Sequence, residues 1–523
     1  MPCWTVAIIQ HLDGYHLLMD KRNGHMKGIL RHTLATAAIA ALLAAPLAQA
    51  TNGYFKIGAG AKNRAMGGAG IAYGQDPMAA AINPASITGV GDSVTAGVEI
   101  FKPKRKSQVD ATGMSIPDLG GAGPRQGVNS NENSRANAFF IPSFGITKAW
   151  GSKFTLGLSV AANGGMNTRY GNANTGNGNL YTGAFAPVIG DSSSSNFQPG
   201  PSGFAGFLEV NGAPASVLDP NLQTLYTNPN NTPALGVNLG QVLISPTLAY
   251  KITPNHSIGF GPVIGYQTFR SYGLGLFQGF SSDPTNVTNN GNDDAWGVGG
   301  QIGYQGNFGM FSIGLMGRSK IYMGEFDKYA GLFAEQGDFD IPAMFGGGIA
   351  VHFTPNLTVA ADISRILYGD VKAIANKGPT ANEFFGAFVG SLTGDSSKIS
   401  NPLGTNDGWG FGWDDVWVYK IGVDYAYSPA WTFRAGFNYA EVPYDDTEAL
   451  FNVLAPAVVE KHATVGFSYT INQNTDFSMT YMYAFRNTVD TTYTGTGQFA
   501  GFSFGARNNM YQNAIEAAMS WNF

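Results

Sequence analysis

Segments of about ten residues in which apolar and polar side chains alternate one for one recur along the chain, and they constrain its fold more than any other feature. In AIEAAMSWNF, residues 514–523, Ile515, Ala517, Met519, Trp521 and Phe523 share one parity, while Glu516, Ser520 and Asn522 share the other. DFSMTYMYAFR (476–486) and WTFRAGFNYA (431–440) repeat the pattern. Period two describes a strand with two unlike faces, and about ten residues is the length a tilted strand needs to cross a bilayer. Short connectors such as Trp150-Gly151-Ser152-Lys153, Thr253-Pro254-Asn255, Thr354-Pro355-Asn356, Ser428-Pro429 and Asn472-Gln473-Asn474 join these segments into hairpins, with long links between hairpins. Fourteen strands are predicted, near residues 91–103, 137–149, 153–163, 240–252, 256–270, 295–305, 309–323, 343–353, 356–368, 415–427, 430–442, 460–470, 474–487 and 513–523. An even number of strands, with short turns and both ends of the sheet on one side, is the pattern of an all-β, antiparallel transmembrane barrel.

Composition separates this reading from a soluble sandwich or propeller with the same alternation. Charged residues are 12% of the chain, about half of the roughly 25% usual in soluble domains. So few charges cover a water-facing surface poorly, but suit a surface that faces lipid. After residue 50 there is no uninterrupted run of 18 apolar residues, so helical spans are excluded and the closed barrel remains.

Residues 1–50 read as a leader with a signal peptide. Lys27 and Arg31 supply its basic region, residues 34–47 its apolar core, and Ala48-Gln49-Ala50 its cleavage site. Translation is expected to start at Met26, the mature chain at Thr51. Cys3, the single cysteine, lies in the leader, so neither a disulfide nor thiol chemistry is expected. The leader holds four basic and two acidic residues, so removing it takes the net charge from -5 to about -7. That balance argues against a nucleic-acid partner.

Catalytic and cofactor motifs fail in turn. Gly501-Phe502-Ser503-Phe504-Gly505 matches the nucleophile elbow, but no histidine follows Ser503. His256, His352 and His462 are widely spaced and far from any cysteine, so no zinc cluster is expected. The pairs Asp293-Asp294, Asp414-Asp415 and Asp445-Asp446 read as solvated rim charge, with a calcium or lipopolysaccharide-bridging metal as the alternative. No cofactor is expected. The glycine-rich stretch TNGYFKIGAGAKNRAMGGAGIAYGQDPMAAAINPASI, residues 51–87, is not a phosphate loop, because Lys62 follows Ala61 and precedes Asn63. GxGxxG fails too, with Asn63 and Tyr73 in the sixth positions. Its apolar residues, Tyr54, Phe55, Ile57, Met66, Ile71, Tyr73 and Met78, are too many for a solvated linker. Small residues let backbones approach closely in a crowded interior. Residues 51–90 are therefore predicted to form a plug inside the barrel of residues 91–523.

The segments Asn52-Gly53-Tyr54, Arg64-Ala65-Met66-Gly67-Gly68-Ala69-Gly70, Asp76 and Asn83-Pro84-Ala85 resemble the N-terminal hatch of the FadL/TodX-type transporters of long-chain fatty acids and aromatic hydrocarbons. LGLSVAANGGMNTRY (156–170) is similar to the family's third strand, and residues 413–436 to its late hairpin. The long link at residues 367–414 departs from the family. The resemblance implies a bacterial outer-membrane channel, not an enzyme, for passive uptake of hydrophobic small molecules. Loops capture the ligand, the lumen binds it, the hatch shifts, and the ligand leaves sideways where the third strand kinks. It assigns hatch roles to Tyr54, Phe55, Arg64, Gly67, Gly68, Gly70, Asp76, Asn83 and Pro84.

Asn163-Gly164-Gly165 interrupts the alternation of the third strand, so these residues are placed at the lateral opening. Lys420 and Arg434, on the luminal parity, are the candidate partners of a substrate carboxylate, with an ordinary charged barrel interior as the alternative. A covalent lock between hatch and wall is expected to block uptake. The expected surroundings are outer-membrane lipid and lipopolysaccharide. A monomer is expected, with Phe523 presented to the barrel assembly machinery. The rival readings are a general porin or adhesin barrel and an outer-membrane lipase. The apolar stretches at residues 183–189, 204–210 and 384–392 are expected to pack as a cap of loops, to present a ligand groove, or both.

Overall fold

The computed structural model describes residues 52–116, 125–171, 179–189, 234–393 and 395–523. The leader and the stretch 204–210 lie outside these residues.

Fourteen long strands form the wall: β1 (Ser93–Asp110), β2 (Phe139–Trp150), β3 (Phe154–Asn167), β4 (Gly236–Thr253), β5 (His256–Tyr272), β6 (Asp293–Asn307), β7 (Phe311–Arg318), β8 (Met344–Thr354), β9 (Leu357–Ile366), β10 (Val416–Ala426), β11 (Trp431–Ala440), β12 (Lys461–Asn472), β13 (Thr475–Thr494) and β14 (Ser503–Asn522). Each pairs antiparallel with its sequence neighbours, and β14 pairs with β1 from Ser93 opposite Asn522 to Asp110 opposite Gly505, which closes the barrel. Beyond the last strand the Phe523 amide donates to the Asp92 carbonyl, at the end that carries the short turns.

The parities fall as the alternation requires, with the polarity of a soluble protein reversed. On the outside, Ile302 and Val465 are 64% and 56% exposed; on the inside, Asn438 and Glu516 are 0% and 2% exposed. Such a surface is stable in hydrocarbon, where the closed ladder satisfies every strand's amides and the apolar side chains meet lipid. Among the described residues no helix is long and apolar enough to cross a membrane.

Several strands outrun the sequence expectation. β13 and β14 stay paired through Thr494 and Ser503, well past residues 487 and 513. In their extensions, NTVDTTYT and SFGARNN, the outward parity is polar or small (Thr488, Asp490, Thr492 and Thr494; Ser503, Gly505, Arg507 and Asn509), so the sequence pattern stops where the apolar band stops while the ladder continues. Ser503 is thus the first residue of a strand rather than the tip of a strand-turn-helix elbow.

On the long-loop side, helices α1 (Leu180–Ile189) and α2 (Ala381–Thr393) meet through Phe185 and Phe384, with ring centroids 5.7 Å apart, and both rings contact Phe504. These two of the three predicted apolar stretches pack on each other as a cap.

Candidate functional site

Residues 52–90 lie within the ring of strands and touch the wall on many sides. Asp76 and Asn83 start two short 3-10 turns, each accepting an amide hydrogen bond (Met78 N at 2.9 Å, Ala85 N at 3.1 Å), with Pro77 and Pro84 as the first turn residues. The Asn83 side chain also donates to the carbonyls of Ile71 and of Tyr304 on β6. The Gly67 amide donates to Thr464 Oγ1, and the Gly70 and Ile71 amides to Asp362 Oδ2. Gly67 and Gly68 have φ of +67° and +80°, which glycine adopts without strain. Gly67 also lies against Gly436 on the wall, where a Cβ on Gly67 would strike the Phe437 backbone and one on Gly436 the backbone of Met66 and Gly67.

Two cations fix this segment electrostatically. Arg64 reaches Glu99 on β1 and Glu516 on β14, the latter at 3.2 Å; Lys56 lies 2.7 Å from Glu99. All four side chains are at most 5% exposed. Removing one partner from such a set costs about 3–5 kcal/mol, because a buried charge is left uncompensated.

The wall changes character along β3. Its first half pairs with β2 from Phe154 opposite Trp150 to Val160 opposite Phe144, and no β2–β3 pairing continues beyond Val160 among the described residues. Residues 159–167 are buried on both parities, so this half of the strand bends inward while staying paired with β4. Asn163 is the residue skipped where the β4 register shifts between Ala162 and Gly164. At the bend the luminal segment joins the strand: the Gly165 amide donates to the Tyr54 carbonyl (3.2 Å) and the Lys56 amide to the Asn163 carbonyl (2.8 Å). Gly164 is required for space, since a Cβ there would overlap the Tyr54 carbonyl oxygen.

Two cavities flank the start of the segment. The outer one, about 480 Å³ among the loops, has no charged residue in its lining and is walled by rings such as Tyr181, Phe277, Trp409, Phe411 and Phe451. The inner one, about 790 Å³, lies between the segment and the wall, with Phe55, Leu243, Met316 and Val418 beside Asn163, Arg318 and Lys420. From the outer lining to the inner runs a file of rings: Phe411 to Trp413 (6.4 Å), Trp413 to Tyr368 (5.1 Å) and Tyr368 to Phe55 (5.6 Å). Tyr368 Oη donates to the Asn52 carbonyl at 2.6 Å and holds the start of the segment in place.

Asn163, Gly164 and Gly165 are thus together at the bend of β3. Lys420 borders the inner cavity opposite Asp362, whose Oδ2 is taken by the Gly70 and Ile71 amides. Arg434 stands apart from that cavity, with Nε 2.6 Å from Asp424 and Nη1 2.6 Å from Ser468 Oγ. The sequence reading did not single out Arg318. It is 8% exposed, borders the inner cavity, makes no ion pair among the described residues, and lies 5.3 Å from the centre of the Phe55 ring. Its place as the last residue of β7, followed by Ser319-Lys320, gave no pattern by which to find it. Tyr368 and Trp413 were also missed as ring contacts, because they belong to the long link between β9 and β10, where no periodicity guides the eye.

Comparison with known proteins agrees with this architecture. Residues 221–521 match the family model described as outer membrane protein transport protein (OMPP1/FadL/TodX). The structure is similar to that of the P. putida toluene transporter TodX, with 17% identity, a TM-score of 0.55, and 89% of this chain and 99% of that one covered. It is similar also to a Pseudomonas aeruginosa FadL homologue, with 14% identity, a TM-score of 0.55, and coverage of 90% and 100%. No curated protein sequence matches. The family match spans more than half of the chain and the barrel closes with the same fold, so this protein belongs to the OMPP1/FadL/TodX family of outer-membrane transport proteins.

Proposed function

We propose that the protein takes up hydrophobic molecules bearing an acidic end, of the long-chain carboxylate kind, by passive diffusion. The observation that carries this reading is Arg318, a buried cation that makes no ion pair among the described residues, facing a cavity whose lining mixes apolar groups such as Phe55, Leu243, Met316 and Val418 with polar ones. A carboxylate entering an apolar interior needs compensation, and a guanidinium matches its two oxygens better than an ammonium does. Lys420 stands on the same cavity as a second positive group.

The path begins at the outer cavity, whose uncharged, ring-rich lining accepts an apolar chain by burial alone. To reach the inner cavity the ligand must part the file from Phe411 to Phe55, so Tyr368 must release Asn52 and the first residues of the segment must move. The exit lies beside the inner cavity, where β3 has left β2 and a lipid-soluble molecule passes into the bilayer without crossing water. Asn163, Gly164 and Gly165 form this lateral gate, and residues 52–90 are the hatch.

Binding of dodecanoic acid and of its methyl ester to the purified barrel, followed by calorimetry, tests the reading. Tighter binding of the acid, lost in Arg318→Met, is expected. Equal binding of both would favour neutral ligands, the alternative that the uncharged outer cavity suits.

A further inference from the structure

Arg318 is the head of a file of side-chain hydrogen bonds that all run one way. Its Nη2 donates to Asn163 Oδ1 (3.1 Å), Asn163 Nδ2 to Gln241 Oε1 (2.9 Å), Gln241 Nε2 to Gln267 Oε1 (3.1 Å), and Gln267 Nε2 to the Phe339 carbonyl (3.0 Å). The file crosses β7, β3, β4 and β5 and ends on the loop before β8. Asn163 and Arg318 are 7% and 8% exposed and both glutamines 0%, so no bond in it is replaced by bulk water at low cost. Aligned donors polarise one another, and a charge at the head strengthens the links that follow.

Asn163 is also the residue bulged out of the β3–β4 ladder, and its carbonyl accepts the Lys56 amide of the luminal segment. One residue therefore joins the unpaired cation through its side chain and the hatch through its backbone, at the bulge of the bent strand.

We infer that Asn163 is a positioning residue that couples occupancy of Arg318 to the gate in β3. The inference rests on the carboxylate reading above. A carboxylate on Arg318 competes with Asn163 Oδ1 for Nη2, and the ionised acceptor wins because it brings a full opposite charge and two oxygens that can pair side by side with the guanidinium. Asn163 then loses the partner that fixes its rotamer, and the bulge it occupies loosens against Lys56 and Tyr54. An acidic ligand thereby weakens the contact that closes its own exit. A neutral ligand of the same length fills the cavity but leaves the Arg318–Asn163 bond in place.

The test uses the full mature chain in detergent micelles, with dodecanoic acid and its methyl ester as probes. Amide hydrogen exchange at residues 52–57 and 161–167 should rise severalfold with the acid and stay unchanged with the ester. In Asn163→Ala, Arg318 has no competitor, so the acid should bind about tenfold tighter and the difference between acid and ester in exchange should vanish. Gln241→Met, at a residue that does not touch Arg318 and does not itself line the cavity, should act in the same direction with a smaller effect and serves if Asn163→Ala does not assemble. Acid binding that depends on Arg318 without a change in exchange overturns the coupling alone. Acid binding that is indifferent to Arg318→Met overturns the carboxylate reading and the coupling with it.

Discussion

Glu99 and Glu516 stand directly opposite each other across the seam where β14 closes on β1, and both carboxylates are buried. Like charges in that relationship repel, so the seam needs cations, which it receives from Lys56 and Arg64 of the luminal segment. Barrel closure and segment insertion are therefore one event electrostatically. Arg64→Met should destabilise the assembled barrel by about 3–5 kcal/mol, the usual loss when a buried ion set is broken. The loss should appear as a lower temperature for the gel-mobility shift from folded to unfolded barrel. Arg64→Met combined with Glu516→Gln should recover much of it; a double variant no more stable than the single would mean that the charges do not act as a set.

Arg318→Met should weaken binding of dodecanoic acid about ten- to hundredfold, the worth of a hydrogen-bonded charge lost from a buried site, and change binding of the methyl ester less than twofold. Arg434→Met should leave the ratio of acid to ester unchanged, because Arg434 is already neutralised by Asp424. Isothermal titration with both ligands separates the two cations.

Gly164→Val should leave the barrel able to assemble while reducing uptake severalfold. The added side chain meets the Tyr54 carbonyl, so the hatch must shift, and the branched side chain then fills the space beside the gate. Heat-modifiable mobility reports assembly, and uptake of a labelled acid reports the gate. Normal uptake in an assembled Gly164→Val barrel would remove this residue from the gate.

The wall was legible because its physics is periodic. A strand between lipid and lumen must alternate, and residues 431–440 alternate without a break. The bend was legible for the opposite reason: Asn163-Gly164-Gly165 interrupts that alternation, and the structure places the loss of the β2 ladder at the same stretch. What sequence could not yield was convergence. Arg318 and Asn163 are 155 residues apart and meet only because β7 and β3 both face the lumen. Arg434 and Arg318 look alike in the chain, and only the position of Asp424 separates the neutralised one from the free one. Tyr368 and Trp413 lie in a loop, where contacts are set by packing rather than by period.

The loop between β7 and β8 should tighten on acidification. Burial pushes the Asp338 carboxyl up from its ordinary value near 3.8 to about 6, with the Asp340 carboxylate beside it adding to the shift. A carboxyl whose folded value is raised favours the folded loop fully below about 3.8, and this contribution is lost as pH rises through about 6. Amides of residues 333–341 should therefore exchange more slowly at pH 5 than at pH 7.5, once the intrinsic rates are divided out. Asp338→Asn should abolish the difference, whereas an unchanged difference would assign it to another group.

A disulfide can distinguish which part of the hatch moves. A Cβ built on Gly157 of β3 lies 3.6 Å from the Cβ of Ala80, within the span a disulfide bridges, and residues 51–523 hold no cysteine to compete. Moving the whole segment would strip Lys56 and Arg64 from two buried carboxylates, whereas moving only residues 52–55 breaks the Tyr368–Asn52 and Gly165–Tyr54 bonds and a few ring contacts. The second motion is much cheaper, so, in place of the block expected from the sequence for any hatch-to-wall lock, Ala80→Cys with Gly157→Cys should transport within about twofold of its reduced form, a factor worth only about 0.4 kcal/mol. Block of uptake on oxidation, relieved by reductant, would instead show that the body of the hatch leaves its seat. The ion set at the β1–β14 seam would then have to be rebuilt in every transport cycle.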